Sequence, residues 1–251
     1  MPEILVDNLT HTFGKGEPGA LTVLDKINLT FESGSFNSII GTSGCGKSTL
    51  LKMMAGLFTP SDGQMTLDGE VIEGTDRRRG MVFQQDAVFP WMTVAKNISY
   101  GPRLRGASKA EQSEIEAKWT EMVGLRGFED RWPRELSGGM RKRVDIGRVY
   151  ANDPDVLLMD EPFGALDAQT KERMQSDLLT TWQKSKKTVV FVTHDIEEAI
   201  FLSDKIIVLS SRPGRVHHIE EVSLPRPRND EMRLTEEFLA IKRRLWGMLD
   251  H

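Results

Sequence analysis

Apolar positions along the chain fall into runs of different period. The opening stretches "ILVDNLTHTF" and "LTVLDKINLTFESGSF" are β-rich, and "GKGEPG" and "SGS" break them as turns would. They predict a small antiparallel layer. From Gly34 onward the pattern changes. "FNSII" reads as a strand, "KSTLLKMMAGL" as a helix with Leu50, Met53 and Met54 facing a core, and "GQMTLDG" and "GMVFQQ" as further strands. The middle, about 93 to 151, is helical in pattern, and "EQSEIEAKWTEMVGL" sets Ile115, Trp119, Met122 and Val123 on one face. Next come "DVLLMDEP", "TVVFVTHD" and "DKIIVLSS", near-continuous apolar runs of the kind that form buried parallel strands, with the helix "DAQTKERMQSDLLTTWQKS" between the first two. In the tail "RLTEEFLAIKRRLW", Leu234, Phe238, Ile241 and Leu245 share one helical face. The prediction is a single α/β domain over residues 1–251: a strand-helix-strand core, an N-terminal antiparallel β layer, a helical subdomain insertion at about 93–151 and a helical tail at about 225–251.

Composition narrows the function classes. A chain of 251 residues can bury a sizeable core, and a formal net charge of −4 provides no basic field for nucleic acid. The lone cysteine, Cys45, excludes an internal disulfide framework and suits a reducing compartment. The N-terminal "MPEILVDNLT" lacks a basic region followed by a long apolar run, so no secretory signal is expected. "TVVFV" and "KIIVL" fall far short of the roughly 20 apolar residues that span a bilayer.

Candidate chemistry begins at "IIGTSGCGKSTL", residues 39–50. Its spacing matches G-x-x-x-x-G-K-[ST] between a strand and a helix, an arrangement whose backbone N–H groups curl around phosphates. Lysine reaches the outer phosphates, a hydroxyl binds magnesium, and the helix N-terminus favours the anion. A nucleoside triphosphate is the expected ligand. "VLLMDEP" ends a buried strand with the adjacent carboxylates Asp160 and Glu161. One acid can hold Mg2+ while its neighbour orients and deprotonates the attacking water, which points to hydrolysis rather than mere binding. His194 follows another core strand, where an imidazole can touch the terminal phosphate. Gln84 ends the strand in "MVFQQ" and can bond a metal-bound water, with Gln85 as its rival. A second glycine turn, "LSGGMRKR", opens a helix at Ser137, Gly138 and Gly139 without the lysine of the first. One chain is not expected to bring both turns to one nucleotide, so a second chain is implied.

"GTSGCGKST", Gln84, "LSGG", "VLLMDEP", "GALD" and His194, in this order, resemble the ATP-binding cassette (ABC) ATPases over nearly the whole chain. The resemblance implies a P-loop NTPase (RecA-like) core. It implies that Gly41, Thr42, Ser43, Gly44, Cys45, Gly46, Lys47, Ser48 and Thr49 bind ATP, and that Phe13 of "HTF" stacks on adenine, although Phe13 alone reads as a core residue. Ser48, Gln84 and Asp160 would hold Mg2+, with Glu161 as the base and His194 and Gln84 beside it. Two cassettes would pair head to tail, so that Ser137, Gly138 and Gly139 of one face the ATP of the other and Asp167 of "GALD" links the two sites.

"FQQDAVFPWMTVAKNI", "SSRPGRV" and "LPRPR" are similar to ATPases of nitrate, sulfonate and taurine importers. That likeness implies the motor of a small-anion importer, peripheral on the cytoplasmic side of the cell membrane. It would act as a homodimer or a paralogous heterodimer on integral membrane permease subunits, served indirectly by a substrate-binding protein, with no nucleic acid involved. The permease would press on the stretch from about Gln84 to Trp91, where Phe89 and Trp91 suit a socket. Exporter and lipid-transport cassettes share the motor motifs and stay as alternatives. A soluble cassette working on DNA or ribosomes would call for a coiled-coil insertion, a second cassette or a basic surface. Two departures from the wider pattern stand out, Met140 after "LSGG" and Asp145 where a small residue is usual.

Overall fold

The computed structural model describes residues 2–85 and 87–249. The chain opens with strands β1 (Ile4–Phe13), β2 (Leu21–Phe31) and β3 (Phe36–Gly41), then helix α1 (Lys47–Met54) and strands β4 (Asp62–Leu67), β5 (Glu70–Val71) and β6 (Arg79–Val82). Helices α2 (Val94–Ile98), α3 (Tyr100–Leu104), α4 (Lys109–Met122) and α5 (Gly138–Ala151) follow. The remainder alternates: β7 (Val156–Asp160), α6 (Ala168–Ser185), β8 (Thr188–Val192), α7 (Ile196–Leu202), β9 (Lys205–Leu209), β10 (Val216–Glu221) and α8 (Glu236–Leu249). None of the helices among the described residues is long and apolar enough to cross a membrane.

The strands form two sheets, ordered β2-β1-β4-β5 and β10-β9-β3-β8-β7-β6. The first is antiparallel throughout and includes β4, which pairs Leu67 with Ile4 across β1. "GQMTLDG" therefore belongs to the N-terminal layer. In the second sheet β3 runs parallel to both β8 and β9, while β10 returns antiparallel to β9. β3, β7 and β8 are buried at every position, as continuous apolar runs require when both faces are covered.

The chain divides into two compact units, passing between them along β6 and β7. One holds residues up to 79, 156–158 and from 185 onward, with the antiparallel layer, α1, α7 and α8. The other is Gly80–Asp155 with Met159–Lys184. In this second unit α2, α4 and α5 pack on one another, and Trp119 of α4 lies 5.2 Å from Tyr150 of α5 between ring centroids. Ser108 starts α4 with a reciprocal capping box to Glu111, which satisfies two otherwise orphaned N–H groups.

The tail differs from the sequence pattern at one position. Phe238, Ile241 and Leu245 are buried to 2 % exposure or less, but Leu234 is 82 % exposed. The helix begins only at Glu236, and Leu234 sits in a preceding 3-10 turn (Asp230–Leu234), whose tighter winding takes it off the shared face.

Candidate functional site

β3 delivers the chain to the first glycine turn, and α1 leaves it. Gly46, the residue before α1, has φ +98°, and a Cβ there would lie 2.6 Å from the Leu24 side chain. Only glycine takes that conformation and that space without strain. No side chain of the residue before α1 caps it and no acid occupies its first turn, so its positive dipole end favours an anion. Lys47 is buried, and its Nζ donates to the carbonyls of Gly41 at 2.8 Å and Thr42 at 3.0 Å. The ammonium is thus held across the turn by backbone oxygens. Ser43 and Gly44 are exposed, Thr42, Ser48 and Thr49 half-buried, and Cys45 is a fully buried free thiol that fills space beneath the turn.

The same unit carries three further features. The hairpin between β9 and β10 abuts the turn: a Cβ at Gly44 would come within 2.7 Å of the Arg212 guanidinium. Phe13 ends β1 at 42 % exposure and meets His11 and Phe58 edge-on, at 4.6 and 6.1 Å between centroids. It is an open aromatic face rather than core. His194 is exposed just after β8. Behind it Asp195 caps α7, accepting from the N–H groups of Glu197 at 2.9 Å and Glu198 at 3.2 Å, and Thr193 donates to the buried Glu198 carboxylate. A cavity of about 510 Å³ adjoins His194, walled in part by Lys242 and Trp246 of α8.

The other unit holds the acids. β7 ends at Asp160, only 2 % exposed, and Glu161 follows half-buried with φ +45°. A left-handed backbone at a non-glycine residue costs of order 1–3 kcal/mol and is typical of functional positions. Gln84 Nε2 donates to Glu161 Oε2 at 3.3 Å. Of the two neighbouring glutamines, Gln84 is the one that meets the acid. Its position two residues beyond the end of β6 places it in the loop rather than on the strand.

Ser137 caps α5 by accepting from Met140 N at 3.2 Å, and Ser137 and Gly138 are exposed. Gly139 packs against the loop that carries Asp167: a Cβ there would sit 3.1 Å from Leu166. The exposed Asp167 carboxylate accepts from Thr170 N at 3.0 Å, and that bond holds its pKa below the usual aspartate range. The two departures noted in the sequence have distinct settings. Met140 donates its N–H to the cap, while Asp145 is fully buried and pairs with Arg148 at 2.7 Å.

Lys142 carries no motif that marks it in the sequence. It is 1 % exposed, and its Nζ donates to the carbonyls of Phe83 and of Gln84, the latter at 3.1 Å. The available signal was a lysine on the stripe Lys142–Ile146–Val149, whose other members are apolar.

Comparison with known proteins accords with this geometry. Residues 24–164 match the family described as ABC transporter. An uncharacterized ABC transporter ATP-binding protein of Methanocaldococcus jannaschii is 48% identical over 98% of this chain and 91% of its own length. An aliphatic sulfonates import ATP-binding protein of Bacillus cereus is 43% identical, covering 99% of this chain and 96% of its own. A nitrate import ATP-binding protein of Synechocystis is 48% identical, covering 84% and 79% respectively. Among solved structures, a dimeric ATP-binding cassette in a post-hydrolysis state, bound to ADP and Pi, superimposes with a TM-score of 0.79 at 32% identity, over 88% of this chain and 100% of that one. With the glycine turn, the paired acids and the α/β core already in place, the chain belongs to the ABC transporter family, as an ATP-binding, ATP-hydrolysing subunit.

Proposed function

We propose that the chain is the nucleotide-binding motor of an importer that carries a small anion, such as nitrate, a sulfonate or taurine, through membrane permease subunits. The observation that carries the import reading is the near-complete two-way coverage by a relative named for import of aliphatic sulfonates, joined by one named for nitrate import. The motor works as a dimer on the cytoplasmic face of the membrane. A substrate-binding protein presents the anion to the permease.

At each site Phe13 stacks on adenine, residues Gly41 to Thr49 wrap the phosphates, and Lys47 turns from its carbonyl partners to the outer phosphates. Ser48, Gln84 and Asp160 offer oxygen donors alone, the set a hard cation such as Mg2+ prefers, and the burial of Asp160 suits a carboxylate meant for a cation. When bound, Mg2+ supplies charge neutralisation at the outer phosphates. Glu161 accepts the proton of the attacking water, and its bond to Gln84 keeps the carboxylate oriented beforehand. His194 donates toward the terminal phosphate. Ser137, Gly138 and Gly139 of the second copy complete the site, and Asp167 lies on the loop that links one site to the other.

The permease meets the motor at the stretch from Gln84 to Trp91, of which Asp86 lies outside the described residues. Trp91 is 66 % exposed, and Phe89 is half-buried against Tyr100 at 4.6 Å between ring centroids. A large exposed indole beside a braced ring suits an apolar contact with a partner.

The test is reconstitution of the chain with its permease and binding protein in vesicles. Nitrate, taurine and an alkanesulfonate should each be tried. One of them is expected to stimulate ATP hydrolysis and to accumulate on the side of the membrane where the motor sits. Movement away from the motor side, or no response to any small anion, would overturn the import reading while leaving the ATPase intact.

A further inference from the structure

Lys142 occupies the first turns of α5, just beyond the exposed start at Ser137 and Gly138. Burying an ammonium is costly unless it is hydrogen-bonded. Its Nζ donates to the backbone carbonyls of Phe83 and Gln84, and Gln84 in turn extends its amide to Glu161 at 3.3 Å. A second cation on α5 grips the same loop farther along. Arg148, paired with the buried Asp145, donates to the Ala87 carbonyl at 2.5 Å and covers the Phe89 ring at 4.8 Å. From α2 the fully buried Asn97 accepts from Phe89 N at 2.7 Å and donates to the carbonyls of Phe89, Met92 and Thr93 at 3.0 to 3.1 Å. Phe83, Gln84, Ala87, Phe89, Met92 and Thr93 are therefore bound by side chains of two helices. Lys142 holds the backbone at Gln84 itself.

We propose that Lys142 is a positioning residue for ATP hydrolysis. By fixing the Gln84 backbone it aims the Gln84 amide at the Glu161 carboxylate, and so sets the orientation of the base. The inference rests on the reading of Glu161 and Gln84 as hydrolytic residues. Lys142 needs no contact with nucleotide, so its effect belongs in turnover rather than in binding.

The experiment is a double-mutant cycle on the full chain, with Lys142→Met, Gln84→Ala and the double variant compared with the parent. Initial rates over a range of ATP concentration give kcat and KM, and circular dichroism monitors the fold. Lys142→Met is expected to lower kcat by about tenfold, because small misplacements of catalytic groups cost that much, with KM altered by less than about twofold. Lys142→Arg, which keeps a cation, should recover part of the loss. With Gln84 already truncated, Lys142→Met should lower kcat by less than about twofold further, since the two act through one contact. Equal losses in both backgrounds, or a loss confined to KM, would overturn the proposal. If Lys142→Met does not fold, Lys142→Gln takes its place in the same cycle. Failure of the underlying reading shows elsewhere: Glu161→Gln or Gln84→Ala with parental kcat removes those residues from hydrolysis, and Lys142 loses its role with them.

Discussion

In the proposed site Lys47 and Glu161 are held in different ways. Lys47 rests on two carbonyls at 2.8 and 3.0 Å, neutral acceptors that a triphosphate would outcompete. Lys47→Ala should therefore weaken ATP binding by about ten- to a hundredfold, the equivalent of one hydrogen bond to a charged group, as measured by titration with a fluorescent nucleotide. An unchanged dissociation constant would remove Lys47 from the site. Glu161 instead carries backbone strain at φ +45° and a hydrogen bond from Gln84. Glu161→Gln should leave ATP binding near parental and slow hydrolysis by about a hundredfold or more, because an amide accepts no proton from water. Near-normal turnover would mean that the base lies elsewhere. At this scale the glycine turn was legible because its spacing is dictated by backbone geometry, which sequence displays directly. Lys142 was not. Its Nζ donates to main-chain carbonyls, one of them 58 positions upstream, and a carbonyl leaves no mark in the sequence.

Elements were legible where a single period held from end to end. β3, β7 and β8 are buried throughout, matching their unbroken apolar runs. The sequence marks β4 only as a strand, because its partner β1 lies some sixty residues earlier and register across that distance is a tertiary matter. The tail shows the same limit at a helix boundary. Leu234 keeps the helical spacing with Phe238, yet it lies before α8 begins. Phe238→Ala should cost about 3–5 kcal/mol in urea unfolding, as a buried aromatic does, whereas Leu234→Ala should stay within about 0.5 kcal/mol. Equal costs would mean that the 3-10 turn does not persist in solution. Asp167 adds a pH-dependent contribution at the start of α6. Its pKa in the folded chain lies below the unfolded value near 3.9 because Thr170 N–H bonds the charged form. Its stabilisation is full above that value and fades as pH falls toward the folded one. Asp167→Ala should accordingly lower the melting temperature at pH 7, and the gap from the parent should narrow below about pH 4. A gap that stays constant down to pH 3 would assign the effect to packing rather than to the carboxylate.

For the whole molecule, the two glycine turns fall in different compact units, Gly41 to Lys47 in one and Ser137 to Gly139 in the other. Sequence displays both turns but not which nucleotide each serves. A solved relative by fold is a dimer bound to ADP and Pi, and sharing of sites between two copies of this chain is the proposal to be tested. Mixing two damaged chains tests the idea. Lys47→Ala disables the first turn, and Gly138→Asp places a carboxylate at the exposed start of α5, repelling a phosphate brought there. Neither chain paired with itself has a complete site. In a mixed dimer the intact Lys47 turn of the Gly138→Asp chain faces the intact Ser137–Gly139 turn of the Lys47→Ala chain, and one site returns. Glu161→Gln in both chains holds the closed state, so trapped ATP can be counted without depending on turnover. Each single population is expected to trap almost none, and the mixture up to half of what the Glu161→Gln parent traps per mixed dimer. If the Gly138→Asp chain alone traps ATP like its parent, or verified mixed dimers trap none, each site is built within one chain and the second glycine turn serves another purpose.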